Sequence, residues 1–459
     1  MDNITDGGLP RGRTTLVAGG AGSGKTLFGM EFLIRGAEKY GETGVAMTFE
    51  ETAEEISANL ASLGHNVEKL VREKKLYIDY VHVERRQIEE TGEYDLEGLF
   101  IRLDHAIKSI GAKRVLLDTI EVLFSGLQNE AIVRSELRRL FRWLKDHQVT
   151  AVITAEAGDD MLTRHGLEEY VADCVIILDH RVNEQISTRR IRVVKYRGST
   201  HGTNEYPFLL NESGMSVVPI TALGLNHKAS SDRVSSGISG LDEMLGRKGF
   251  FRASSVLITG TAGTGKSSVA ASFVSAACAR GERALYYAFE ESESQILRNM
   301  HSLGMPLERW IKKGMLQIHA QRPTTMGLEN HLATMCKTIE DYRPSIVVVD
   351  PITNLISVGT SISVKSMLTR LIDLLKTHQI TALFTNLSMS GEQITSTEIS
   401  SLMDAWISLS EIEIDGVRER IVYVLKARGM AHSNRVHRFT ITDKGISIEN
   451  EVQGQRRVS

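Results

Sequence analysis

Two glycine-rich loops constrain what this chain of 459 residues can fold into more than any other feature. Both match the pattern G-x-x-x-x-G-K-[ST], at residues 19–26 and 260–267. The glycines of such a loop let backbone N–H groups surround phosphate oxygens, while the lysine reaches the outer phosphates and the last hydroxyl coordinates Mg²⁺. An apolar run precedes each loop and a helical pattern follows it. Two glycine turns that bind no nucleotide are therefore a poor explanation of the two motifs. The predicted nucleotide-binding residues of the loops are Gly22, Ser23, Gly24, Lys25, Thr26, Gly263, Thr264, Gly265, Lys266 and Ser267.

The second half of the chain repeats the first. The loops, a Phe-Glu-Glu motif, an apolar run ending in Asp and a Lys-x-Arg-Gly segment recur in the same order 231 to 241 residues later. A period this long indicates a duplicated domain rather than a solenoid repeat. We expect a first domain over residues 1–220, a linker over 221–235, a second domain over 236–450 and a polar tail over 451–459.

Each copy alternates apolar strands with amphipathic helices, which predicts an α/β fold built on a mostly parallel sheet covered on both faces. In the first copy the predicted strands are 15–19, 45–49, 115–118 and 151–154. The predicted helices are 26–39, 54–63, 98–110 and 132–147. Three later segments, 175–179, 189–195 and 215–218, indicate an antiparallel extension of the sheet.

Composition excludes several classes of protein. A formal net charge of −3 gives no basic field for nucleic acid or for an anionic membrane. Three scattered cysteines, Cys174, Cys278 and Cys336, have no C-x-x-C spacing and are typical of core residues in a reduced cytoplasmic protein. No apolar stretch approaches the ~20 residues of a membrane span, and no signal-peptide pattern opens the chain.

Asp118 and Asp350 each end an apolar strand downstream of a phosphate-binding loop. A carboxylate at this position faces the Mg²⁺ held by Thr26 or Ser267, so these four residues are the candidate metal ligands. A strand-terminal turn explains a single aspartate equally well. Recurrence in both copies favours the metal site.

Glu50 and Glu290 follow the strand after each loop helix, and each has a second glutamate behind it, Glu51 and Glu291. A carboxylate at this place can orient or deprotonate the oxygen that attacks the γ-phosphate. The same residues also suit the first turn of a helix, where acidic side chains oppose the helix dipole. We favour the first glutamate of each pair as the base and retain the second as a catalytic candidate.

A basic segment lies near the end of each copy, and its Lys-x-Arg spacing places both side chains on one face of a strand. Such a segment can reach its own nucleotide or a neighbour's, and it suits an arginine finger supplied across a ring interface. A solvated basic face is the plain alternative, which repetition disfavours. The segments contribute the nucleotide-contact candidates Lys195, Arg197, His201, Lys426 and Arg428, with His432 repeating His201.

The two copies differ at one place. Glu169 and Tyr170 in the first copy correspond to Ser400 and Ser401 in the second. The adjacent hydroxyls read either as helix-capping residues or as acceptors for phosphoryl transfer. Spacing alone favours capping.

In combination these residues resemble the KaiC family of ATPases and autokinases, which act in bacterial clock and timing systems. The likeness covers about residues 2 to 450 and rests on the motifs at 49–51, 195–198, 289–291, 399–404 and 426–429. It implies two tandem RecA-like P-loop NTPase domains in a double-ring homohexamer that binds ATP and Mg²⁺ at the subunit interfaces. It implies a slow ATPase in the first ring, with Glu50 helping to activate water. In the second ring, Glu290 would activate a hydroxyl of the neighbouring subunit for phosphorylation, and the ring would also remove that phosphate.

By the same resemblance the phosphorylation sites are Ser400 and Ser401, where the cyanobacterial type has Ser-Thr, and Thr395 interacts with them. The cyanobacterial type also continues for a few dozen residues past the position of Glu449 in a tail that binds KaiA. The sequence here ends at Ser459, so we expect no dependence on KaiA. A KaiB-like partner on the first ring is compatible with the sequence. The first copy starts at Met1-Asp2-Asn3 and lacks the Gly-Leu-Asp lead that the second copy shows at 240–242, which leaves open a start upstream of Met1 or a lost strand.

Two alternatives stay open at this stage. A RecA/DnaB-like DNA motor shares the fold but needs basic DNA-facing loops, and no Lys/Arg-rich loop follows Asp118 or Asp350. A nucleotide-gated scaffold would use ATP mainly to assemble the ring, with phosphorylation setting partner affinity.

Overall fold

A computed structural model describes residues 1–2, 4–82, 96–124, 130–158, 162–163, 171–183, 186–211, 214–217, 229–388, 399–414 and 416–449. The chain divides into two compact units, Met1–Ala222 and Leu223–Ser459. Each has its own nine-stranded sheet. No helix of the described part is long and apolar enough to span a membrane.

The first unit carries a mixed sheet with helices packed on it. Its strands are β1 (Thr14–Gly19), β2 (Gly44–Thr48), β3 (Leu76–Tyr80), β4 (Arg114–Asp118), β5 (Thr150–Glu156), β6 (Cys174–Asn183), β7 (Ile186–Tyr196), β8 (Glu205–Asn211) and β9 (Gly214–Val217). Its helices are α1 (Lys25–Lys39), α2 (Ala53–Ala61), α3 (Val67–Arg72), α4 (Glu97–Ile110), α5 (Glu121–Phe124) and α6 (Glu130–Asp146). The sheet order is β3-β2-β4-β5-β1-β6-β7-β8-β9, parallel as far as β6 and antiparallel beyond it.

The second unit repeats this topology. Its strands are β10 (Arg233–Val234), β11 (Phe250–Phe251), β12 (Ser255–Gly260), β13 (Ala284–Ala288), β14 (Leu316–Ala320), β15 (Ile346–Asp350), β16 (Thr381–Leu387), β17 (Ala405–Ile414), β18 (Val417–Ala427), β19 (His437–Thr442) and β20 (Gly445–Glu449). Its α-helices are α7 (Ser239–Met244), α8 (Lys266–Ala279), α9 (Glu293–Ser302), α10 (Glu308–Lys312), α11 (Leu328–Tyr342) and α12 (Ser361–Thr377), and 3₁₀ turns cover Pro323–Thr325 and Ile352–Val358. The main sheet order is β14-β13-β15-β16-β12-β17-β18-β19-β20, and β10 pairs with β11 in a separate ribbon.

The central strands read as continuous apolar runs because helices cover both faces of each sheet. Every residue of β1 and β12 is buried. From α1, the side chains of Met30, Leu33 and Ile34 are fully buried against the first sheet. Burial of this kind stabilises a domain by about 25 cal/mol per Å² of apolar surface and fixes the sheet that carries the loops.

Capping boxes set where the helix begins behind each glutamate pair. The Thr52 hydroxyl accepts from the Glu55 N–H at 3.3 Å, and the Glu55 carboxylate accepts from the Thr52 N–H at 2.8 Å. Ser292 and Gln295 make the same reciprocal bonds in the second unit. Because such a cap is worth about 1 kcal/mol, it holds the chain direction immediately after each pair of carboxylates.

The predicted fold class is confirmed, with a difference in the sheet extension. The first segment assigned to the antiparallel extension, 175–179, lies in β6 and pairs parallel with β1. The antiparallel part begins at the β6–β7 hairpin instead. An apolar run gives no sign of strand direction, because its pattern is the same for parallel and antiparallel neighbours.

The loop before β1 also matches its counterpart more closely than the sequence indicated. The Gly7 N–H donates to the Asp2 carbonyl at 3.0 Å, as the Arg247 N–H does to the Asp242 carbonyl at 2.7 Å. Asp2 therefore occupies the place of the aspartate in the Gly-Leu-Asp lead.

Candidate nucleotide-binding sites

Each phosphate-binding loop connects the first strand of its sheet to the following helix. The Lys25 ammonium donates to the carbonyls of Gly19 at 2.7 Å and Gly20 at 3.0 Å. The Lys266 ammonium donates to the corresponding carbonyls, Gly260 at 2.9 Å and Thr261 at 2.7 Å. Both lysines therefore lie over their own loops, where an ammonium group reaches the phosphates of a bound nucleotide.

The glycines of the second loop are required by its geometry. A Cβ on Gly260 would lie 2.5 Å from the Leu409 carbonyl oxygen and 2.6 Å from the Thr264 hydroxyl. Gly265 has φ +99°, a left-handed conformation that costs other residues energy, and it is the N-cap of α8. The loop backbone is thus bent so that its N–H groups and the N-terminus of α8 face one point, as anion binding requires.

Burial gives the two loop lysines different environments. Lys266 is 8% exposed, whereas Lys25 is only half-buried. Burial lowers the pKa of Lys266, and the carboxylates of Asp350 and Glu290 oppose that shift. An anion bound at the second loop would therefore gain from a poorly hydrated ammonium group.

Both predicted metal carboxylates lie at the carboxyl end of their strands and are buried. Asp118 accepts hydrogen bonds from the hydroxyls of Thr154 and Thr26. Its pKa is raised, because burial outweighs those bonds. Asp350 accepts from the hydroxyls of Thr385 and Tyr286. The structure thus brings each aspartate to the loop that the sequence paired with it.

The glutamate pairs lie beside these aspartates because of main-chain pairing. The Phe49 N–H donates to the Asp118 carbonyl at 2.9 Å, and the Phe289 N–H donates to the Asp350 carbonyl at 2.8 Å. Glu50 and Glu290, which follow these phenylalanines, are exposed.

The second glutamate of each pair is half-buried and has a raised pKa. For Glu51 burial is the main cause, followed by the carboxylates of Asp118, Glu55 and Glu50. For Glu291 burial again comes first, then Asp350 and Glu290, while a 3.0 Å hydrogen bond from Asn299 opposes the shift. A raised pKa makes a carboxylate a stronger base, so Glu51 and Glu291 remain candidates for a catalytic role.

A cavity of about 600 Å³ joins these groups in the second unit. Its polar lining includes Lys266, Ser267, Glu290, Glu291, Asp350, Asn299 and Arg420. Neither Asn299 nor Arg420 belongs to a motif that the sequence singled out. The Arg420 guanidinium donates to the Gly263 carbonyl at 3.3 Å. Arg189 occupies the matching position of the first copy, so the repeat that drew attention to Lys426 could also have identified this arginine.

The donor chemistry at each site fits Mg²⁺. A loop hydroxyl and a strand-end carboxylate supply oxygen ligands, which Mg²⁺ prefers, and it usually keeps waters and nucleotide phosphates as its other ligands. In the described part of the chain no three His, Cys, Asp or Glu side chains are grouped to hold a metal ion. Thr26 with Asp118, and Ser267 with Asp350, would therefore hold the ion together with phosphate oxygens.

The basic segments and the two serines lie away from the loop of their own unit. The Asp404 N–H donates to the carbonyl of Ser255, the first residue of β12, whereas the loop follows Gly260 at the other end. Five strand residues at about 3.3 Å each separate the two ends by about 17 Å.

Lys426 and Arg428 lie beside the serines at this remote end. The Lys426 ammonium donates to the Ser400 carbonyl at 2.9 Å, and the Arg428 guanidinium donates to the Ser401 carbonyl at 2.8 Å. Ser400 is 7% exposed, whereas the Ser401 side chain is exposed. The second unit therefore gathers the serines and the cations that the sequence selected, but at the end of β12 opposite its own nucleotide loop.

The first unit places its basic segment at the same end of its sheet. Lys195 pairs with Val175 in the β6–β7 hairpin, and the Arg197 N–H donates to the Asp173 carbonyl. The Asp173 N–H in turn donates to the carbonyl of Thr14, the first residue of β1. The His201 ring stacks on Tyr196 at this same end, 6.3 Å between centroids. Glu169, Tyr170 and Thr395 lie outside the described residues.

Comparison with known proteins agrees with this geometry. The model of the KaiC ATPase domain matches residues 1–222 and again 234–453. The chain belongs to the KaiC family. It is 55% identical to the circadian clock protein KaiC2 of Synechocystis sp., over all of this chain and 81% of that protein. It is 38% identical to the circadian clock oscillator protein KaiC of Synechococcus elongatus, over all of this chain and 89% of that protein. It is 37% identical to KaiC3 of Synechocystis sp., over 98% of this chain and 90% of that protein.

Both units are therefore KaiC ATPase domains, and each places a phosphate-binding loop, a strand-end aspartate and a glutamate pair at the same end of its sheet. Because the matching family model is an ATPase domain, membership of the family implies nucleotide binding. The described residues add that the basic segment of each KaiC domain, and the two serines of the second domain, lie at the opposite end.

Proposed function

We propose that the chain forms a closed homohexameric double ring that acts as a timing or signalling switch. In this proposal the first unit hydrolyses ATP slowly. The second unit transfers the γ-phosphoryl group of ATP to Ser400 or Ser401 of the neighbouring subunit and also removes it. One observation carries the proposal: in the second unit the acceptor serines and the nucleotide loop occupy opposite ends of β12.

The separation decides between transfer within one subunit and transfer to a neighbour. Reacting atoms must approach to about 3–3.5 Å, far less than the about 17 Å between the ends of β12. A serine therefore meets a γ-phosphate only if the loop belongs to another copy. A contact that joins one end of a subunit to the opposite end of the next is heterologous, and it either closes as a ring or grows as a filament.

The same separation gives the basic segments a role. Lys426 and Arg428 lie beside the serines, so an interface that brings the serines to a neighbour's nucleotide also brings these cations there. Lys195, Arg197 and His201 would reach the neighbour's first-unit nucleotide in the same way. An arginine supplied across an interface in this manner stabilises the charge that develops on the transferred phosphoryl group.

The chemistry uses groups already described. Glu290 accepts the proton of the attacking serine hydroxyl while the bond between Oγ and the γ-phosphorus forms. The bond from that phosphorus to the β–γ bridging oxygen breaks, and ADP leaves. Mg²⁺, when bound, neutralises charge on the β- and γ-phosphates. In the first unit Glu50 would orient a water molecule in place of the serine, and Glu51 and Glu291 would support the base beside them.

Exposure distinguishes the two acceptors. Ser400 is 7% exposed and follows the buried Ile399, whereas the Ser401 side chain is exposed. A buried hydroxyl must leave its packing before it reaches a second active site, so we expect Ser401 to be phosphorylated first. Serine is a competent acceptor at both positions.

Partners follow from the family rather than from the described residues. A KaiB-like protein on the first ring is the partner we propose. The net charge of −3 argues against the DNA-motor alternative, which needs a basic channel. A motor should also hydrolyse ATP rapidly and respond to DNA, whereas a switch should be slow and indifferent to it.

Phosphopeptide mapping after incubation with Mg-ATP tests the kinase directly. We expect phosphate on Ser401 and then Ser400, and little on either in a Glu290→Gln, Glu291→Gln variant. Glu293→Gln is the control, because this exposed residue of the first turn of α9 loses a carboxylate by the same substitution, one charge instead of two. ATP hydrolysis with no phosphate on either serine would overturn the kinase and leave a double-ring ATPase. Phosphate on Ser400 alone at early times would contradict the predicted order.

A further inference from the structure

A buried tyrosine links two metal-site groups of the second unit. Tyr286 lies in β13 and is 1% exposed. Its hydroxyl donates to Asp350 Oδ2 at 2.5 Å and also shares a side-chain hydrogen bond with Ser267. The phenol therefore lies between the loop hydroxyl and the strand-end carboxylate, the two oxygen donors that the second site offers to Mg²⁺.

The hydrogen-bond capacities of these groups set the direction of the chain. An ionised carboxylate only accepts, so Tyr286 uses its single proton on Asp350. The Ser267 hydroxyl then donates to the phenol oxygen. With its proton directed to Tyr286, the serine oxygen keeps its lone pairs for another partner.

Among the residues that the structure describes, the first unit has no such link. Leu116 pairs with Ala46 in β2 as Val348 pairs with Tyr286 in β13, so Ala46 occupies the position of the tyrosine. There the Thr26 hydroxyl bonds to Asp118 directly. The two metal sites of one chain thus share a loop and an aspartate but differ in what connects them.

We propose that Tyr286 is a positioning residue for the divalent cation of the second site, and that the first site works without an equivalent. The phenol holds the Asp350 carboxylate and orients the Ser267 hydroxyl so that both oxygens are ready to contact the cation or its waters. Outer groups that orient metal ligands commonly contribute about 10- to 100-fold in metal affinity. The proposal rests on nucleotide and metal binding by the second unit and does not depend on phosphoryl transfer to serine.

The test is a Mn²⁺ titration of the full chain, saturated with a non-hydrolysable ATP analogue and followed by electron paramagnetic resonance. Wild type should bind two Mn²⁺ ions per chain. In Tyr286→Phe one of the two should weaken about tenfold or more while the other is unchanged, and excess Mn²⁺ should restore occupancy. Tyr287→Phe is the control, since this neighbour loses a hydroxyl that donates to the Met335 carbonyl at 3.4 Å, away from the metal-site groups.

Each outcome bears on a different statement. Identical titrations for Tyr286→Phe and wild type would overturn the positioning role. An equal loss in Tyr286→Phe and Tyr287→Phe would also overturn it, because the effect would then come from packing. If wild type bound a single Mn²⁺ per chain, the second metal site itself would be refuted. Selective weakening of one Mn²⁺ site in Tyr286→Phe, together with no phosphoserine after the separate Mg-ATP incubation, would retain this inference and reject the kinase.

Discussion

The proposed transfer between subunits makes a sharp prediction for mixed rings. One variant, Glu290→Gln with Glu291→Gln, keeps both serines but lacks the base. A second variant, Ser400→Ala with Ser401→Ala, keeps the base but lacks the acceptors. Neither should label its own serines. When the two share a ring, serines of the first should be phosphorylated at active sites of the second, because the serines lie at the end of β12 opposite their own loop and β12 is about 17 Å long.

The extent of labelling follows from ring geometry. Each subunit presents its serines to one neighbour only, since a heterologous interface has a defined direction. In a randomly mixed ring with equal amounts of both variants, that neighbour is catalytically competent about half the time. We therefore expect about half of the acceptor-bearing subunits to become phosphorylated, and this fraction to follow the proportion of the competent variant.

The assay is intact-mass spectrometry with Mg-ATP, after native mass spectrometry has verified that the variants exchange into mixed rings. In the control mixture, the Ser400→Ala, Ser401→Ala variant shares rings with Glu293→Gln chains, which keep both the serines and the base. Every chain that carries the serines should then be labelled. Absence of label in verified mixed rings, with labelling in the control mixture, would refute transfer between subunits.

Two further perturbations probe the second site itself. Gly260→Ala would place a Cβ 2.5 Å from the Leu409 carbonyl oxygen, so we expect this variant to lose one of the two nucleotides bound per chain. Isothermal titration with an ATP analogue measures the number bound. The control Gly98→Ala, whose Cβ meets nothing within 4 Å, should bind both. Burial and neighbouring carboxylates raise the pKa of Glu291, so its ionised form disfavours the folded state and stability should fall as pH rises from its ordinary pKa to the raised value. Glu291→Gln should therefore melt at a higher temperature than wild type at neutral pH, with the difference vanishing below the ordinary glutamate pKa, and a constant difference across pH would contradict this linkage.

The loops, the strands and most of the helices were predictable because their signals are local. The first-copy predictions for residues 15–19, 26–39 and 115–118 agree with β1, α1 and β4 to within one residue at each end. Helical and strand periodicities depend on neighbours a few positions away, and a continuous apolar run identifies a strand buried on both faces. Because these motifs recur in the second half of the chain, each interpretation was supported twice.

Contacts between residues that strand register brings together were harder to predict from the sequence. Arg420 reaches the nucleotide loop because β18 pairs with β17, and Tyr286 reaches Asp350 because β13 lies next to β15. No spacing along the chain encodes either contact. The first copy also has Ala46 at the position of Tyr286, so comparing the two copies could not identify this tyrosine.

By itself the sequence determined that this chain has two phosphate-binding domains, which carboxylates accompany each loop, and that only the second copy carries paired hydroxyls. The tertiary structure alone decided on which end of the sheet each group lies. It places loops, aspartates and glutamates at one end and Lys426, Arg428 and both serines at the other. The reason is physical: periodicity records which face of an element is buried, whereas the end of a sheet at which a residue lies depends on the direction and register of strands far apart in the chain.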